Sequence, residues 1–220
     1  AGVNYEERID DAYLDQSRPD RAFRLETYRS SGTVSSSLKT QLRCYFVRKC
    51  DFVNPQPTDA ERTDVRKVSD KAFLQKATRN TLDVYQSIMA TVLQRPGPVI
   101  DMKDLGREKR LVIGHRQGGT SRFFSALSHL YHYYGLYSTR KYVENFSNGV
   151  TIVCTYLAPL AAANRQSSTA ADQREYPPID HSIVQIMREA SLIYCLPKSP
   201  LQDLFATGQL SIQEAVYGYA

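Results

Sequence analysis

The chain has 220 residues, with 28 Lys and Arg against 23 Asp and Glu, four Cys and no Trp. Hydrophobic residues make up 42% and charged residues 23%, which excludes wholesale disorder, a collagen and a coiled-coil rod. The net charge of +5 is spread among carboxylates, and a polyanion-binding stripe needs clustered Lys and Arg, so no nucleic-acid partner is expected.

The first 20 residues are polar and acidic and read as a short helix or an arm. Residues 21–28 alternate, with Ala22, Arg24, Glu26 and Tyr28 set against Phe23, Leu25 and Thr27. After a Ser/Gly-rich break at 30–37, residues 42–53 resume the pattern with Leu42, Cys44 and Phe46 against Arg43, Tyr45 and Val47. Two strands joined as a hairpin are predicted. Asn54-Pro55-Gln56-Pro57 ends them, and a charged connector runs to Val68. From Ser69 the period becomes helical: Phe73, Ala77, Leu82, Tyr85, Ile88, Met89, Val92 and Leu93 recur along one stripe, with Ser69 as the cap. Pro96-Gly97-Pro98 stops that helix.

A short strand at 110–115 leads through Gly118-Gly119 into a helix that opens at Thr120 and closes at Gly135. Strands at 137–146 and 150–157 form a second hairpin across Ser147-Asn148-Gly149. Residues 161–178, rich in Ala, Ser and Gln, read as a mobile loop. A helix at 182–194 turns Ile183, Ile186, Met187, Ala190 and Ile193 inward. Ser211 and Glu214 then make a capping box with six residues after it, which reads as an excised piece of a longer chain. The expected organisation is an N-terminal arm and strand hairpin (1–68), a connecting helix (69–100), a β-α-β-β-α unit (101–200) and the start of a further helical segment (201–220).

Few residues carry a chemical signature. Cys44, Cys50, Cys154 and Cys195 form no CxxC and read as reduced, structural thiols of a cytoplasmic protein. The longest apolar stretch, 152–163, contains Thr155, Tyr156 and Pro159 and is too short to span a bilayer; no secretory leader opens the chain. No membrane role is expected. His129 and His132 could share a metal at their i, i+3 spacing, but their helix offers no carboxylate, so hydrogen-bonded or solvent-facing imidazoles are the better reading. The paired acids Asp10/Asp11 and Asp101/Asp104 fall in polar segments and read as surface charge, not as general acids. Nucleotide cradles and the GxSxG and HExxH patterns are missing, so no catalytic, cofactor-binding or metal-binding residue is assigned. Tyr131, Tyr133, Tyr134, Tyr137 and Tyr142 form an aromatic-rich patch that suits core or interface packing.

One junction stands out, Leu111-Val112-Ile113-Gly114-His115-Arg116-Gln117-Gly118-Gly119-Thr120-Ser121-Arg122. A strand runs through two glycines into a helix whose first N–H groups need acceptors. Gly118, Gly119, Thr120, Ser121 and Arg122 are therefore the candidate seat for the carboxylate of an effector. The alternative is that the glycines only permit a turn and Thr120 or Ser121 caps the helix.

The order of elements from 110 to 157 resembles an ACT-type domain, whose β-α-β-β-α-β fold commonly senses amino acids. Arg95-Pro96-Gly97-Pro98-Val99-Ile100, the run Ser121-Arg122-Phe123-Phe124-Ser125-Ala126-Leu127 through His132-Tyr133-Tyr134, and Arg188-Glu189-Ala190-Ser191-Leu192-Ile193-Tyr194 resemble the N-terminal non-catalytic region of the large fungal NAD-specific glutamate dehydrogenase. Ile9-Asp10-Asp11-Ala12-Tyr13-Leu14-Asp15 and Ser211-Ile212-Gln213-Glu214-Ala215-Val216-Tyr217 fit the same family. The resemblance implies an α+β fold, an antiparallel sheet with helices packed on it, and a parent enzyme that oxidises glutamate to 2-oxoglutarate and ammonium with NAD. It implies that NAD and the catalytic residues belong to downstream domains of the same polypeptide, which are the expected partners, in a homo-oligomer with an amino acid as candidate effector. One departure is expected. No clear fourth strand follows the helix ending near Tyr194, so the sheet borrows residues 21–28 or 42–53, which bears on a standard ACT effector site.

Overall fold

The computed structural model describes residues 2–29, 42–159 and 179–195. Helix α1 (Gly2–Ile9) runs directly into a π-helical turn (Asp10–Leu14). Strands β1 (Phe23–Arg29) and β2 (Arg43–Lys49) follow, then three helices, α2 (Val65–Val68), α3 (Lys71–Lys76) and α4 (Arg79–Gln94). The remainder is β3 (Val99–Asp104), β4 (Lys109–Arg116), α5 (Phe123–Tyr133), β5 (Leu136–Asn145), β6 (Val150–Pro159) and α6 (Ile179–Cys195). The protein is α+β, with helices packed on an antiparallel sheet of six strands in the order β2-β1-β5-β6-β4-β3. No helix of the described residues is long and apolar enough to cross a membrane.

Alternation along the strands sorts the side chains into two layers. Leu25, Leu111, Ile113, Val143, Val153 and Leu157 point to one face, where they meet Phe124, Leu127 and Tyr131 of α5 and Ile183, Ile186 and Ala190 of α6. Val112, Ile152 and Cys154 point to the other, against Phe73 of α3 and Leu82, Tyr85, Ile88, Met89 and Val92 of α4. Each fully buried aliphatic side chain is worth about 1.5–3 kcal/mol of transfer free energy, so both layers are substantial. Gly114 of β4 lies under α4. A Cβ there would overlap Ile88 and sit 3.1 Å from Val92 Cγ2, so glycine sets how closely α4 approaches the sheet.

Several elements differ from the sequence expectation. The single helix from Ser69 is two, α3 and α4, and the charged connector before it ends in the short helix α2. Asp70 accepts from the Phe73 N–H and caps α3, Thr78 accepts from the Thr81 N–H and caps α4, and Ser69 caps neither. Each cap restarts the helix by answering N–H groups that a continuous helix would have used. Strand β3, absent from the sequence reading, pairs with β4 along its length. The sheet does take in the 21–28 and 42–53 strands, but β1 pairs with β5, while the place beside β4 goes to β3. One continuous sheet thus joins strands from the first and third predicted segments. The loop at 161–178, Cys195's side chain, Ile193's side chain and the capping box at Ser211 lie outside the described residues. Cys44, Cys50 and Cys154 are free thiols.

Candidate functional site

The junction between β4 and α5 is where the sequence places an effector carboxylate. Gly118 adopts φ 73° and turns the chain, as a glycine can without steric cost. Arg122, the last residue before α5, is itself left-handed at φ 51° and ψ 31°, and no side chain of Thr120 or Ser121 caps the helix. Thr120 is buried, whereas Gly118, Gly119, Ser121 and Arg122 are exposed.

The capping groups come instead from the other end of the sequence. In the π-helical turn the Asp15 N–H bonds to the Asp10 carbonyl at 2.8 Å, and this widened turn presents three carboxylates to the head of α5. Asp15 accepts from the Arg122 backbone N–H at 2.9 and 3.2 Å. Asp10 accepts from the Ser125 N–H at 2.8 Å. Asp11 takes the Arg122 guanidinium in a two-point contact at 2.9 and 3.0 Å. The helix N-terminus therefore does gather carboxylates, as its dipole and open N–H groups favour, and those carboxylates belong to the chain itself.

Asp10 is 1% exposed, which corrects the reading of the Asp10/Asp11 pair as surface charge. Burial pushes its carboxyl up to about 7, against the Ser125 hydrogen bonds, with Asp15 and Glu6 adding repulsion. Asp104 is exposed and Asp101 half-buried. Behind Asp10 lies a cavity of about 40 Å³ lined in part by His115, Gln117, Gly118, Thr120, Asn145 and Thr151. That volume suits water-sized occupants and not an amino acid. Burial pulls the His115 imidazole down to about 4, partly offset by its contact with the Arg116 carbonyl. On the same face of the sheet, Lys141 is fully buried between Glu6, the Ser128 hydroxyl at 2.6 Å and the Phe124 ring, and burial lowers its ammonium to about 8.

The histidines of α5 do not converge on a metal. His129 faces Glu7 of α1 at 3.5 Å and His132 is exposed; among the described residues no cluster of three or more His, Cys, Asp or Glu could hold an ion. The tyrosines of the aromatic-rich patch do not share a surface. Tyr131 is buried against Thr155, Tyr133 is 77% exposed, and Tyr142 stands on the opposite face of the sheet beside Tyr28 and Tyr156.

That opposite face holds a charge network the sequence reading missed. Arg24 of β1, 3% exposed, grips Glu144 of β5 through two hydrogen bonds of 2.6 and 3.0 Å, meets Glu26 at 2.9 Å and reaches Asp70 at 3.7 Å. Its acidic partners hold the guanidinium charged. The same Asp70 also caps α3, so the network fastens helix to sheet.

Residues 1–207 match a family model described as the second domain of NAD-specific glutamate dehydrogenase. The chain belongs to this family. It is 44% identical to an NAD-specific glutamate dehydrogenase of Neurospora crassa over 99% of the chain and 20% of that protein. A probable NAD-specific glutamate dehydrogenase of Schizosaccharomyces pombe is 43% identical over 97% of the chain and 19% of its own length, and glutamate dehydrogenase 2 of Dictyostelium discoideum 38% over 91% and 19%. The chain thus spans about a fifth of the length of the glutamate dehydrogenases it matches. No solved structure shows a significant match. What this glutamate dehydrogenase domain displays around α5 is a clamp, in which acids from the first 15 residues pin a helix more than 100 residues downstream.

Proposed function

We propose that the chain is a non-catalytic regulatory or assembly region of an NAD-dependent glutamate dehydrogenase. The parent polypeptide would oxidise glutamate to 2-oxoglutarate and ammonium, binding NAD in domains other than this one. The observation that carries this reading is the match of residues 1–207 to a second-domain model, in relatives about five times as long. The closed clamp at α5 supports it, because carboxylates spent on the chain's own N–H groups and arginine act as fasteners. The partners would be the catalytic domains of the same polypeptide, in a cytoplasmic homo-oligomer. The β4-α5-β5-β6-α6 connectivity, with β6 lying between β4 and β5, supports an ACT-like description.

The test is deletion of the stretch equivalent to residues 1–207 from the full-length enzyme, read by glutamate-dependent NADH formation and by oligomeric mass. A changed mass or changed kinetics is expected; an enzyme that assembles and turns over as before overturns the reading. NADH formation by the 220-residue chain itself would overturn its non-catalytic part.

A second reading keeps an amino-acid effector at Gly118, Gly119, Thr120, Ser121 and Arg122, because that helix end is built to receive carboxylates. The effector would have to displace Asp15 or Asp11. Calorimetry with an amino-acid panel should then show heat that Arg122→Ala removes and Asp15→Asn increases; no heat from any of them rejects this site.

A further inference from the structure

Helices α2–α4 cover only part of their face of the sheet. Between the α3–α4 junction and strands β1, β5, β6 and β4 lies a cavity of about 260 Å³. Five aromatic side chains line it, Tyr28, Phe73, Tyr85, Tyr142 and Tyr156. Three cations, Arg24, Lys76 and Arg110, line it against two carboxylates, Glu26 and Glu144. Glu144 and Glu26 are spent on Arg24, and Glu26 also takes Lys76. Arg110, 7% exposed, donates no hydrogen bond to a described residue, and its nearest acid is Asp101 at 3.8 Å.

The unanswered donors concentrate here. Among the described residues, three buried guanidinium atoms lack an acceptor: Nη1 of Arg24, Nε of Arg110 and Nε of Arg140. All three arginines are on this face. In the register, Tyr28 pairs with Arg140, Arg140 with Tyr156, and Tyr156 with Arg110, and the Arg140 guanidinium stacks 3.9 Å above the Tyr156 ring. Arg24 and Arg110 line the cavity itself, while Arg140 stands next to its tyrosine wall and faces Glu108 at 3.6 Å. Buried guanidinium N–H groups ordinarily have acceptors, and two of them lining one cavity call for an anion.

We propose that this cavity binds a small organic carboxylate with a flat, unsaturated body, its carboxylate on Arg110 and its ring among the tyrosines. The guanidinium fork matches a carboxylate in two-point contact, and the tyrosine faces stack on a planar body. The volume falls near the lower end of ligand sites, roughly 300–1,000 Å³, which fits a molecule the size of benzoate and excludes a nucleotide. A bare inorganic anion would leave the aromatic walls without a partner.

The site stands apart from the regulatory reading, since binding is measured on this chain and regulation on the parent enzyme. Calorimetry with benzoate, benzyl alcohol and inorganic phosphate tests it. Saturable binding is expected for benzoate, and neither the uncharged ring nor the ringless anion should match it. Arg110→Gln should weaken benzoate roughly 10- to 100-fold, the worth of a hydrogen bond to a charged group. Ala77→Leu, which fills the cavity and leaves all three arginines in the chain, should bring a comparable loss even if the first variant folds poorly. No benzoate binding to the wild-type chain overturns the proposal, as does undiminished binding to Ala77→Leu or to folded Arg110→Gln. Phosphate binding as tight as benzoate overturns the ligand class.

Discussion

On the α1/α5/α6 face of the sheet, the carboxylates of Asp10, Asp11 and Asp15 meet the N–H groups and the guanidinium at the head of α5, whereas on the α2–α4 face Arg24, Arg110 and Arg140 keep buried donors that no described residue accepts. The leftover atoms of the two faces are of opposite kind. Glu6 Oε2 and Gln117 Oε1, both acceptors, remain on the first, and guanidinium N–H groups remain on the second. Spare acceptors draw protons and water, while spare donors draw anions. The first face thus spends its donors within the chain, while the second, fastened by Arg24, keeps donors for something else.

The largest effect that would break this contrast is expected at Arg24. Arg24→Met strips Glu144, Glu26 and Asp70 of their shared cation and should cost about 3–5 kcal/mol, as removal of one partner from a buried ion pair does. Urea unfolding measures it, and a loss below about 1 kcal/mol would mean that the second face does not rest on this network.

Next comes the pH response of the first face. Asp10 holds its proton up to about 7 in the folded chain against an ordinary 3.8, so the folded state binds more protons in between and stability falls as pH rises from 4 to 7. His115, pulled down to about 4 from 6.5, acts oppositely, and its term raises stability as pH climbs from 4 to 6.5. Asp10→Asn keeps an acceptor for the Ser125 N–H and should gain on wild type with rising pH across that window, by on the order of 4 kcal/mol. His115→Gln should gain as pH falls through it. Parallel curves for wild type and variants would show that neither group is as buried as the structure has it.

A smaller loss is expected at Gly114, where Ala meets Ile88 and Val92; overpacking of this kind costs about 1–3 kcal/mol. Thermal melts should show it, with Ile88→Ala restoring part of the loss in the double variant. The smallest effect belongs to Arg122→Ala. The Arg122–Asp11 pair is about half-exposed on both sides, so its removal should cost about 0–1 kcal/mol and less at high salt. A larger cost would make the clamp a true anchor of α5.

The sequence made the sheet legible wherever a strand alternates and a turn residue marks its end, as at β1, β2, β5 and β6. β3 was hidden because Val99 and Ile100 are followed at once by Asp-Met-Lys-Asp, the charged pattern of an edge strand that borders solvent. The break between α3 and α4 could have been read from Asp70 and Thr78, both good N-cap residues; the apolar stripe ran through them and concealed it. The junction at Gly118–Arg122 was legible as a helix end that attracts carboxylates. Which carboxylates was not, because Asp10 and Arg122 lie more than 100 residues apart and only the tertiary fold joins them. For the same reason the cavity on the second face had no local signature. Arg24, Arg110 and Arg140 come from three separate strands, and each by itself reads as an ordinary strand charge.

The strand order also fixes a sequence of events. The hairpins β1–β2 and β3–β4 can each close locally, yet they share no hydrogen-bonded edge, and the pair that bridges them, β5–β6, leaves the ribosome after both. Until residue 159 is made, the two early hairpins present open edges and half a core each. Closing that gap brings β1 to β5 over more than 100 residues, a long loop whose entropy must be spent before the contacts reward it. Folding should therefore be slow and late, gated by the central hairpin, and chains truncated before β5 should aggregate through their unpaired strands.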